Sequence, residues 1–121
     1  MARRATAVGG RDCDPSVRRA YFECRFGQLH VHNAMPAGGG FDEATPLLCI
    51  HRDGVTGRMF AGLMRTIGRD RSVYAPDLPG SGESDGPQPS PGCTDLAAAL
   101  GDFLRDLRLR RVDLLAAGAG A

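Results

Sequence analysis

Between Leu47 and Ala116 the chain switches repeatedly between two hydrophobic periods, and this alternation leaves few folds open to it. The run Leu47-Leu-Cys-Ile50 follows Pro46 and is apolar at every position, as in a strand covered on both faces. From Thr56 to Ile67 the residues Met59, Phe60, Leu63, Met64 and Ile67 recur every three or four positions, with Thr56 as N-cap and Gly68 as stop, which predicts an amphipathic helix. Ser72 to Ala75 contains Val73 and Tyr74 and predicts a short strand. Thr94 is expected to cap a second helix, in which Leu96, Ala97, Leu100, Phe103, Leu104 and Leu107 keep helical spacing. Arg105 and Arg108 suit its negative pole. Val112 to Ala116 returns as a strand.

Upstream, Tyr21, Glu23 and Arg25 alternate with Phe22, Cys24 and Phe26, and Gly27-Gln28 separates them from Leu29 to Ala34, which predicts a two-strand hairpin. Residues 1–20 are rich in Arg, Gly and Asp without periodicity and read as a flexible leader, with one domain over 21–121. Pro36 to Thr45, with three consecutive glycines, reads as a loop. The order hairpin, strand, helix, strand, helix, strand requires crossover connections and a mainly parallel sheet with helices on its faces, an α/β layered fold.

Fifteen basic residues, all arginine, stand against 14 acidic ones, so there is no global field to recruit nucleic acid or a membrane surface, and neither partner is expected. The four cysteines at 13, 24, 49 and 93 match neither a zinc site nor a dense disulfide framework and are expected as separate thiols. The Arg-rich start lacks the apolar run of a signal peptide, and no stretch approaches the roughly 18 apolar residues of a membrane span, so the expected location is cytoplasmic.

Three segments carry a resemblance: Pro46-Leu-Leu-Cys-Ile-His51, Gly57-Arg-Met-Phe60 and Tyr74-Ala-Pro-Asp-Leu-Pro-Gly-Ser-Gly-Glu-Ser-Asp85. Together they resemble the α/β-hydrolase superfamily, in the branch of esterases, haloalkane dehalogenases and epoxide hydrolases. The resemblance implies the front section of a doubly wound sheet, strands one to five with two helices. It also implies hydrolysis of an ester or related bond of a small-molecule substrate, through a covalent intermediate and without a cofactor. In the last motif, glycines at 80 and 82 permit a tight turn, Pro79 stiffens it, and Asp77 and Ser84 are placed to hydrogen-bond its backbone, a structural role.

By the same resemblance His51 ends strand three where the family carries His-Gly, and the N–H of Asp53 is one candidate oxyanion-hole donor. Here Arg52 fills the Gly slot, and Asp53 would set a negative charge beside a developing oxyanion. His51 is expected to hydrogen-bond nearby backbone rather than act as general base. The family's elbow, small-x-nucleophile-x-Gly, aligns with Ala116 to Gly120 and puts Gly118 in the nucleophile slot, leaving no catalytic side chain, with the N–H of Ala119 as the second oxyanion candidate.

The resemblance further implies a parent protein about twice as long, whose later half carries the acid, the catalytic His, three more strands and a cap. The chain therefore reads as a truncated fragment, inactive by itself, whose continuation is expected in a reading frame downstream of Ala121. The apolar edge Val112 to Ala116 would then lack a neighbour, with Leu47, Cys49 and Leu114 left wet. Two other readings are a non-catalytic small-molecule or protein binding module, and the start of a dinucleotide-binding unit at Gly118-Ala-Gly120. His30 and His32, two apart on a strand, would face one side, but no third metal ligand presents itself and no metal is expected. Arg105, Arg108, Arg110 and Arg111 are interleaved with Asp102, Asp106 and Asp113 and read as a solvated helix end.

Overall fold

The computed structural model describes residues 16–37, 45–52, 54–87 and 91–117. Strands β1 (Arg18–Cys24) and β2 (Gly27–Ala34) form the hairpin, with Gly27 at φ +121°, a conformation that a side chain at this tight turn would strain. β3 (Leu47–Ile50) leads into a 3-10 turn (Gly57–Phe60) and helix α1 (Ala61–Ile67), then β4 (Val73–Pro76), helix α2 (Cys93–Asp106) and β5 (Asp113–Ala116). The sheet order is β1-β2-β4-β3-β5. β1, β2 and β4 pair antiparallel in turn, while β3 runs parallel to both β4 and β5.

Period-two alternation divides the core between the sheet's faces. Ala34, Cys49, Val73 and Ala75 pack with Phe60 and Met64 under α1. Leu29, Val31, Leu48 and Tyr74 pack against Phe103 of α2 on the other face. The Phe103 ring meets Phe22 and Tyr74 edge-on, with centroids 5.1 and 5.6 Å away. Fully burying one such aromatic contributes about 1.5–3 kcal/mol.

Several boundaries depart from the sequence reading. β1 begins at Arg18, inside the stretch read as leader, because Arg18 pairs with Asn33 and Arg19 with His32; cross-strand pairing overrides the weak strand propensity of this polar segment. Residues 1–15 lie outside the described residues. The predicted first helix opens as a 3-10 turn in which Thr56 Oγ1 accepts from the Arg58 N–H at 3.3 Å. Gly92, not Thr94, is the N-cap of α2, where Asp95 Oδ2 accepts from the Gly92 N–H at 3.0 Å, so the cap lies two residues earlier and an acidic side chain secures it.

Cys49, expected to be wet, is fully buried because α1 covers it, whereas Leu114 is 64% exposed. Among the described residues β5 pairs only with β3. No helix among the described residues is long and apolar enough to cross a membrane.

Candidate functional site

In open α/β sheets ligands bind outside the carboxyl ends of the strands. Here the parallel strands β3 and β5 end side by side, Ile50 opposite Ala116, and the Ala117 N–H donates to the Ile50 carbonyl at 3.1 Å. The segments that follow the two strands therefore start adjacent. Asp53, Gly118 and Ala119, assigned to the oxyanion hole and the nucleophile slot, lie outside the described residues.

His51 immediately follows β3 and is 1% exposed. The Leu78 N–H can only donate, so His51 Nε2 accepts it at 2.9 Å, and the ring proton sits on Nδ1, which donates to the Arg52 carbonyl at 2.8 Å. Both ring nitrogens serve backbone, and the ring joins the loop after β3 to the loop after β4.

That second loop is built on Asp77, 2% exposed. His30 Nδ1 and His32 Nε2 lie 2.9 and 3.2 Å from its Oδ2 and Oδ1. The N–H groups of Gly57 and Glu83 donate to Oδ1 and Oδ2 at 2.8 and 3.1 Å. Four donors thus occupy the acceptor positions of one carboxylate. Burial pushes Asp77 upward, but the His30 bond, the Glu83 and Gly57 N–H groups and the charge of His32 together outweigh it and hold the carboxyl below its usual range. His32 is lowered as well: burial, with His30 and Arg19 nearby, outweighs the charge and hydrogen bond of Asp77.

Local chemistry completes the loop. Ser84 Oγ accepts from the His30 N–H at 2.8 Å and donates to the Asp77 carbonyl at 2.7 Å. The Asp85 carboxylate accepts from the Gln28 N–H at 2.8 Å. Gly80 and Gly82 take φ +83° and +52°, and a Cβ on Gly82 would collide with the Asp77 carboxylate. Pro79 is fully buried.

Sequence reasoning placed His51, Asp77, Pro79, Gly80, Gly82 and Ser84 in these loops but missed that Asp77 is the third group beside His30 and His32. The one available signal was the shared face of His30 and His32; the pairing of β2 with β4, which brings Asp77 to them, is not local. The three groups could in principle hold a metal ion. Their separations are those of hydrogen bonds, and an ion would have to displace donors that already fill the carboxylate.

A hairpin feeding a β4-β3-β5 parallel section, with helices on opposite faces and a buried Asp loop after β4, is the arrangement of the α/β-hydrolase fold, and the chain carries part of that fold. Among solved structures it is similar to the Cif epoxide hydrolase from Acinetobacter nosocomialis, with 22% identity and a TM-score of 0.73 over 87% of this chain and 31% of that one. It is also similar to the haloalkane dehalogenase DatA from Agrobacterium tumefaciens, with 18% identity and a TM-score of 0.71 over 88% of this chain and 34% of that one. A mutant of the N-acyl homoserine lactonase AidH complexed with N-hexanoyl homoserine matches at 27% identity and a TM-score of 0.67, over 81% of this chain and 35% of that one. The chain thus spans about a third of the length of these relatives, where about half was expected. No protein-family model and no curated protein matches the sequence.

Proposed function

We propose that the chain forms the front wall of a hydrolase-type site whose parent reaction is cleavage of an ester or a related bond in a small molecule, and that the chain alone does not perform it. Solved relatives named for epoxides, haloalkanes and acyl homoserine lactones support the small-molecule class. The observation that carries the second half is the state of the imidazoles. A general base must turn a free nitrogen towards its substrate. His51 uses both nitrogens on backbone, while His30 and His32 have one nitrogen each on Asp77 and are kept from substrate by burial, at 3% and 6% exposed. By alignment with the family's elbow, Gly118 brings no side chain to the nucleophile slot.

The test is turnover of 4-nitrophenyl acetate and styrene oxide by the purified chain. The expected rate equals that of buffer, and Gly118→Ser is expected not to raise it, because a hydroxyl without an adjacent base is a poor nucleophile. A burst of product stoichiometric with protein would overturn the reading.

A further inference from the structure

Beside α1 lies a pocket with a different chemistry. Arg58, Ala61 and Arg65 are spaced by three and four residues and share one face of the helical segment Gly57–Ile67. Arg19 stands opposite His32 in the β1–β2 ladder. The two surfaces enclose a pocket of about 360 Å³ lined by Val17, Arg19, His32, Arg58, Ala61 and Arg65.

None of the described lining residues is acidic. Among the described residues, Arg25 and Arg105 pair with Asp102, and Arg71 pairs with Asp113. Arg19, Arg58 and Arg65 make no such pair among the described residues. Three arginines therefore line one concavity, with no counter-charge among the described residues. Asp77, the nearest buried carboxylate to His32, is already filled by its four donors and does not line the pocket.

We propose that this pocket binds the phosphate monoester of a small organic molecule, with Arg19, Arg58 and Arg65 on the phosphoryl oxygens and the organic part over Val17 and Ala61. Guanidinium is planar, permanently charged and matched to phosphate by paired N–H donors. Three of them favour a dianion over a carboxylate. The volume falls at the lower end of small-molecule pockets and exceeds what inorganic phosphate fills, and two apolar residues complete the lining. This site is independent of the hydrolase reading, which rests on none of the three arginines.

The full chain, titrated calorimetrically at constant ionic strength with phenyl phosphate, inorganic phosphate, benzoate and phenol, tests the proposal. Phenyl phosphate is expected to bind, inorganic phosphate at least tenfold more weakly, and benzoate and phenol not measurably. Arg58→Gln with Arg65→Gln, two exposed helix positions, should weaken phenyl phosphate at least tenfold, while Arg110→Gln with Arg111→Gln should not. Far-UV circular dichroism checks the fold; if the glutamine pair unfolds, Arg58→Lys with Arg65→Lys keeps the charge, removes the paired donors and should still weaken binding severalfold. Absence of phenyl phosphate binding, benzoate or inorganic phosphate binding as tightly, an unaffected Arg58/Arg65 variant, or an equal loss from the Arg110/Arg111 control would each overturn the proposal.

Discussion

His30 Nδ1 lies 2.9 Å from Asp77 Oδ2, so a strand of the hairpin is fastened to the loop after β4 by a buried imidazole–carboxylate contact. The same carboxylate takes His32 and the N–H groups of Gly57 and Glu83, so three segments of the chain, β2, the 3-10 turn and the loop after β4, meet on one side chain. Asp77→Asn keeps the shape but turns an amide NH2 towards groups that donate. The expected loss is about 3 kcal/mol, since hydrogen bonds to a charged group are the stronger class and a buried donor left unpaired carries its full desolvation cost. Urea unfolding measures it, and a midpoint within error of the parent chain would refute the hub role.

Gly57→Ala attacks the same hub from the backbone side. A Cβ there would press on the Ala75 backbone and the His32 ring, where Gly57 now sits close enough to donate to Asp77. Overpacking of this kind costs about 1–3 kcal/mol. Gly62→Ala, whose Cβ meets nothing within 4 Å, is the control and should leave the melting temperature unchanged or slightly raised.

Stability should fall with pH in two stages. His32 is pushed below its ordinary 6.5, chiefly by burial, so below pH 6.5 the unfolded chain binds protons that the folded chain refuses, and stability declines until the folded value is passed. Asp77 is held below its ordinary 3.8, so its contribution is present above that pH and lost as pH drops through the lower folded value. Melting temperatures from pH 8 to 3 should be level at first, decline from about 6.5 and drop again below about 4. A curve level down to pH 5 would contradict the account of His32.

Cysteine reactivity should follow burial. Cys49 is fully buried and its thiol is raised to about 11, whereas Cys93 is exposed. At pH 8 iodoacetamide should modify Cys93 in the folded chain and Cys49 only after denaturation, because the thiolate is the reactive form. Peptide mass spectrometry reads the order, and early modification of Cys49 would show that α1 does not cover it.

The strand β5 exposes Leu114 by 64% and Leu115 by 40%. Among the described residues its free edge has no strand beside it, and an apolar free edge is a template for association. Leu114→Lys should reduce light scattering at high protein concentration while changing unfolding stability by no more than about 0.5 kcal/mol. Equal scattering from both chains would place the association elsewhere.

What the sequence alone determined was local: the run Leu47–Ile50, the helical spacing of Met59 to Ile67, and the Asp77–Asp85 turn with its glycines are properties of neighbouring residues, and together they dictate an α/β layering. Period and turn chemistry act over a few residues and are readable without a fold. The tertiary structure alone decided the rest. Asp77 meets His30 and His32, 47 and 45 residues away, only because β2 and β4 pair, and Arg19 joins Arg58 and Arg65 only because α1 folds over the hairpin. The start of β1 at Arg18 and the burial of Cys49 have the same origin: strand pairing and helix cover, set by distant residues, override what each segment prefers by itself.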